Sequence, residues 1–244
     1  MKFKNKHSES ILLFLIFSFF LIKTFGQENK IVLFDISHGQ FVDFSDQYNE
    51  LLPVNSQAVI KTNEDSIDAK LLKGTYALIL FLPTKPFGES EVKAIKEYLN
   101  SRGSLLLIFD QEIRMSLEGI GVNNIIIPFG IELTDDTPAP HNCGAIAERG
   151  IVCSERRELP YSGGRSIIGG TVISKVNAEG DYIHSVFQEL PNGGKIIVMS
   201  DGMAGLFMGE KDGKRLTGTN PSDTKYWGKD SKVFMKEILN FLIK

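Results

Sequence analysis

Apolar and polar positions alternate along this chain in blocks that predict strands and helices by turns. Ile31-Val32-Leu33-Phe34 opens a β-branched apolar run that reads as a strand buried on both faces. It ends in Ser37-His38-Gly39-Gln40. Residues 41–52 read as a short helix, and residues 54–61 alternate as a strand would. Tyr76 to Leu82 is a second apolar strand, stopped by Pro83 and Pro86. Glu89 to Ser101 carries Val92, Ile95 and Leu99 at helical spacing, and Gly103 reads as its C′ glycine. Ser104 to Phe109 is a third buried strand, which delivers Asp110-Gln111-Glu112-Ile113-Arg114 into a turn.

Beyond that turn the pattern is less regular. Gly121 to Pro128 reads as a short helix. Residues 134–164 carry Pro138, Pro140, Pro160 and several glycines, and read as a long irregular loop of the kind that often carries function. Strands resume at 166–175 and 182–190, with a hairpin turn at Pro191-Asn192-Gly193-Gly194 and a last strand at 195–200. Residues 209–229 are polar and glycine-rich. A final helix from Ser231 turns Phe234, Ile238, Phe241 and Leu242 to the core. Strand–helix alternation of this kind predicts a doubly wound, mainly parallel α/β sheet.

The amino terminus changes the picture of where the chain works. Lys2, Lys4 and Lys6 precede an apolar run from Ile11 to Ile22, followed by Thr24-Phe25-Gly26. This reads as a secretory signal peptide over 1–26, with an uncleaved membrane anchor as the alternative. One domain over 27–244 is expected after it, with no stable membrane insertion and a periplasmic or secreted location. The formal charge is −3, and removing the leader takes away four Lys and one Glu. An acidic chain argues against nucleic acid as a partner. In an oxidising compartment Cys143 and Cys153 could form a disulfide, or remain two buried thiols. No four-ligand zinc pattern accompanies them, and no cofactor is implied.

The candidate chemistry lies at the ends of the strands, where open parallel sheets bind ligands. His38 could serve as general acid or base, or be a turn histidine bonded to backbone. Asp110 and Glu112 could be catalytic or simply cap a helix. His141 sits in the long loop, as an acid or as exposed surface. Ser37, Gln40, Gln111 and Asp201 could contact a ligand, and Arg114 or Arg149 could clamp a carboxylate. His184 alternates within a strand and reads as structural. Lys225-Tyr226-Trp227 could offer an aromatic platform or pack under the loop.

Three segments together, Phe34-Asp35-Ile36-Ser37-His38-Gly39-Gln40, Pro128-Phe129-Gly130-Ile131-Glu132 and Ile196-Ile197-Val198-Met199-Ser200-Asp201-Gly202, resemble an exported family of glutamine-amidotransferase-like domains of polysaccharide-degrading bacteria. The resemblance implies a flavodoxin-like fold of the class I amidotransferase kind. The family's thiol nucleophile would sit where this chain has Phe109-Asp110-Gln111, so glutamine hydrolysis is not expected. Enzymes of this family type include the oligosaccharide dehydratases of ulvan breakdown. That implies a hydro-lyase acting on an anionic, uronic-acid-terminated oligosaccharide, with His38 as base. The competing expectation is a non-catalytic exported module that binds sugar or protein.

Overall fold

A computed structural model describes residues 29–39, 43–206 and 229–244. The leader at 1–26, Gln40, the glycine-rich stretch at 209–228 and Lys225-Tyr226-Trp227 lie outside the described residues.

The chain forms a nine-stranded sheet and a small two-stranded one. Strands β1 (Lys30–Asp35), β2 (Ala58–Asn63), β3 (Thr75–Phe81), β4 (Ser104–Ile108) and β11 (Lys195–Met199) run parallel in the order β2-β1-β3-β4-β11. β3 and β4 are buried almost end to end, as the unbroken apolar runs require. Past β11 the sheet turns antiparallel through β10 (Ile183–Glu189), β9 (Thr171–Val176), β6 (Ala145–Ala147) and β7 (Arg157–Leu159). The architecture is therefore mixed α/β, with a parallel block and a larger antiparallel wing than the sequence suggests. β5 (Ile131–Asp136) and β8 (Arg165–Gly169) pair separately.

Helices α1 (Ser45–Leu51), α6 (Met203–Leu206) and α7 (Ser231–Ile243) pack together. So do α2 (Ala69–Leu72), α3 (Glu89–Asn100) and α5 (Asn123–Ile126). α4 (Leu117–Ile120) lies between, and a 3-10 turn covers Ile127–Phe129. The helix expected at 121–128 is thus two single turns and a 3-10 turn, because Gly121 takes φ +76° and ends α4. The strand expected at 166–175 is broken by Gly169 and Gly170, at φ +81° and +69°, into β8 and β9. The loop expected at 134–164 contributes β6 and β7 to the main sheet.

The end of α3 also differs in its cause. Arg102, not Gly103, takes the left-handed conformation, at φ +73°. Gly103 is required instead by Tyr98, whose ring atoms lie 2.4 Å from where a Cβ would stand. Tyr98 is held there by its hydroxyl, which donates to Ser104 O and accepts from Ser104 N–H.

Candidate functional site

β1 and β4 are not neighbours, because β3 lies between them. The strand-end residues therefore form two clusters along the same edge of the sheet, with the end of β3 between them.

The first cluster is built on the end of β1. Asp35 stands opposite Asn63 of β2 in the parallel register. Asn63 Nδ2 donates to Asp35 Oδ1 at 2.8 Å, and Ser37 Oγ donates to the same oxygen at 2.7 Å. His38 Nδ1 lies 2.7 Å from Asp35 Oδ2, and its Nε2 lies 3.4 Å from Glu91 Oε2. Glu91, in the first turn of α3, also accepts from Gly88 N–H, Ser66 Oγ and Ile67 N–H. The His38 ring stacks on Phe87 at 4.0 Å. His38 O accepts from Thr84 N–H and Lys85 N–H. Both the His38 and Asp35 side chains are buried.

Burial alone would lower the pKa of His38, but hydrogen bonds and charge from Asp35 and Glu91 raise it above its ordinary 6.5. Burial would raise Asp35, yet its bonds from His38, Ser37 and Asn63 hold it below the usual range. Glu91 is lowered against its own burial by Gly88, Ile67 and Ser66. The result is an imidazole ring held between two carboxylates, which favour its protonated form. It ties the ends of β1, β2 and β3 to the start of α3. Both ring nitrogens are engaged, and this is why His38 reads as a latch and not as the free base expected of it.

The second cluster forms where β4 and β11 leave the sheet. Ile108 pairs with Met199, so Asp110 and Asp201, each two residues on, emerge side by side. Asp110 accepts from Gln111 N–H and from Arg114 Nη1, both at 2.7 Å. Asp201 accepts from Met203 N–H at 2.7 Å and Ser162 N–H at 3.1 Å, strapping residues 161–164 over the strand ends. Burial, then the Asp110 charge, pushes Asp201 up to about 8. Asp110 is raised mainly by burial, although Arg114 opposes the rise. Gly163, at φ +129°, brings Gln111 and His141 together, since a Cβ there would stand 2.8 Å from Gln111 Oε1 and His141 Nδ1.

The structure thus unites Asp110, Gln111, Arg114, His141 and Asp201 and leaves Ser37 and His38 in the other cluster. Glu112 faces away, accepting from Leu117 N–H and pairing with Arg165. Arg149 is exposed in the turn between β6 and β7, in the antiparallel wing. Cys143 and Cys153 are free thiols, not a disulfide. Burial raises both, Cys153 to about 12. His184 is fully buried, pushed down to about 4 by burial, and bonded to Ser174 Oγ through Nδ1. Among the described residues no group of three or more acidic, histidine or cysteine side chains could hold a metal ion.

Two residues that sequence reasoning missed organise these clusters. Glu91 is one, and its signal was a Glu at the third position of a helix, which reaches back to its own N-cap N–H. Arg165 is the other. It is 2% exposed and donates to Asp110 O, Thr134 O and Met115 O, fastening β8 beneath the 110–115 turn. No sequence motif marks it.

Comparison with known proteins bears on what these clusters do. The IFT52 GIFT domain family matches residues 31–140, somewhat under half of the chain. The mmIFT52 N-terminal domain shares the fold at 16% identity and a TM-score of 0.59, covering 71% of this chain and 87% of that one. A ThuA-like protein from Bacteroides uniformis aligns at 11% identity over 73% of this chain and 84% of that one, with a TM-score of 0.49. A Thermoplasma acidophilum protein described as part of a GMP synthase aligns at 10% identity over 89% of this chain and 96% of that one, also at 0.49. No curated protein sequence matches.

These findings correct the functional expectations. The sequence match is to the IFT52 GIFT domain and the shared fold is that of the mmIFT52 N-terminal domain, so the dehydratase reading and its link to ulvan breakdown are corrected. The expectation of an anionic oligosaccharide partner is corrected by the same GIFT-domain match. The periplasmic or secreted location is overturned by the same match. What the chain is similar to, over residues 31–140, is the IFT52 GIFT domain.

Proposed function

We propose that this chain is a non-catalytic protein-binding module built on a GIFT-type domain, working within a larger assembly. The observation that carries the reading is the GIFT match over residues 31–140, which spans β1 to β5 and the whole first cluster. The state of His38 supports it. A buried imidazole with both ring nitrogens facing carboxylates fixes loops and leaves neither nitrogen free to act as a base. The same reading takes residues 27–244 as one domain and the strand order β2-β1-β3-β4-β11 as a flavodoxin-like, amidotransferase-type frame. Such frames host many unrelated functions, so the frame does not argue for catalysis.

The test is stoichiometric co-purification. The chain, tagged at its own genomic locus, is isolated from the organism that makes it and analysed by native mass spectrometry. A defined complex with one or more proteins at fixed ratio is the expected result. A protein that emerges alone at every concentration tried would overturn the reading.

A further inference from the structure

We infer that the end of the sheet opposite the two clusters is a docking cleft for an acidic segment of a partner protein. The inference rests on the binding-module reading and names the surface that would do the binding. At the amino-terminal ends of β3, β4 and β11 lie two adjoining clefts of about 460 and 570 Å³, which share Tyr76 and Arg102. Lys73 lines one, and Lys195 and Lys244 line the other.

This end is basic although the chain is acidic overall, at −3. Two of its cations have a structural task. Lys30 Nζ donates to Ile243 O at 2.7 Å and Lys195 Nζ to Phe241 O at 2.6 Å, satisfying the last carbonyls of α7 and its negative dipole end. Lys30 also lies over the Tyr76 ring, 4.5 Å from its centre. The remaining cations have no such task. Lys73 and Arg102 are exposed and form no ion pair among the described residues. Arg102 holds a left-handed backbone that Gly or Asn would adopt at lower cost, directly at the cleft mouth.

The mode of docking is narrowed by the strand edges. Asn49 Oδ1 accepts from Ile60 N–H on the β2 edge. Asp230 caps Glu158 N–H on the β7 edge with its carboxylate. Asn123 both donates to Leu133 O and accepts from Leu133 N–H on β5. With these edges guarded, strand addition is obstructed and a side-chain-lined cleft is the open route. Glu97 and Glu189 interrupt the basic field. A uniform polyanion such as nucleic acid or an anionic bilayer would meet both. An extended peptide whose carboxylates alternate with apolar residues fits cations set around the exposed Tyr76 ring that the two clefts share.

The probe is a fluorescein-labelled peptide of repeated Glu-Glu-Leu, titrated with the full chain and followed by anisotropy at low and physiological salt. Saturable binding that weakens with salt is expected. The double variant Lys73→Glu/Arg102→Glu should lose at least about tenfold in affinity with an unchanged melting temperature. Arg102→Gly should lose affinity while keeping or raising the melting temperature, which a purely structural Arg102 would not do. No saturable binding, equal binding of a Lys-Lys-Leu peptide, or an unaffected double variant would each overturn the inference. So would binding to phosphatidylserine vesicles in place of the peptide. Cross-links from the co-purified assembly separate the two levels. Links to Lys73 or Lys195 from an acidic partner segment support the cleft, links only to other faces overturn it and leave the module reading standing, and absence of any fixed-ratio partner overturns that reading itself.

Discussion

His38 has two ring nitrogens, and each faces a carboxylate in a largely buried site. A charged group in such a place is stabilising only while all its partners remain. His38→Ala would leave Asp35 and Glu91 without their cation. It should cost about 3–5 kcal/mol, measured by urea unfolding. The pH dependence has a definite sign. The folded pKa of His38 lies above 6.5, so its contribution is complete below that pH and is lost as pH rises through the raised value. Those of Asp35 and Glu91 lie below their ordinary values, so their contributions hold at neutral pH and are lost on acidification. Stability should therefore fall on the alkaline side, and less so in Glu91→Gln, whose imidazole has lost one carboxylate. Identical alkaline losses in the two proteins would refute the latch.

At the scale of elements, the junction between α3 and β4 shows how two neighbouring residues divide the work of one turn. Arg102 supplies the left-handed bend, and Gly103 supplies the room into which Tyr98 packs. Gly103→Ala should cost about 1–3 kcal/mol, because the Tyr98 ring is held at its hydroxyl by both backbone groups of Ser104 and cannot withdraw freely. Arg102→Gly should range from neutral to about 1 kcal/mol stabilising, since it relieves a left-handed conformation at a position without buried contacts. Thermal unfolding distinguishes the two. If Gly103→Ala melts with the parent, Tyr98 is not the constraint.

Across the whole molecule, the nine-stranded sheet and the separate β5–β8 pair expose edges that invite pairing with other copies. Asn49, Asn123 and Asp230 each occupy backbone groups that a foreign strand would need. The triple variant Asn49→Ala/Asn123→Ala/Asp230→Ala should self-associate more than the parent, seen by light scattering after gel filtration. Unchanged scattering would mean that twist alone protects the edges.

The sequence determined the parallel block and its helices. The apolar runs at 31–34, 76–82 and 104–109 are short and sharply bounded, read as buried strands, and form β1, β3 and β4. The amphipathic spacing at 92, 95 and 99 left no alternative to a helix. It also marked Asp110, Gln111, Arg114, His141 and Asp201, which the fold gathers at one strand end. Only the tertiary structure decided which strands are neighbours. Interposing β3 separated His38 from Asp110, and placing Glu91 on the far side of the His38 ring turned an expected base into a latch. It alone turned Arg165 inward and drew the 145–159 segment into the sheet. Residue patterns report burial and local turn chemistry, which act over a few positions. Strand order and the pairing of buried charges are settled by contacts between residues dozens of positions apart, and no local pattern encodes them.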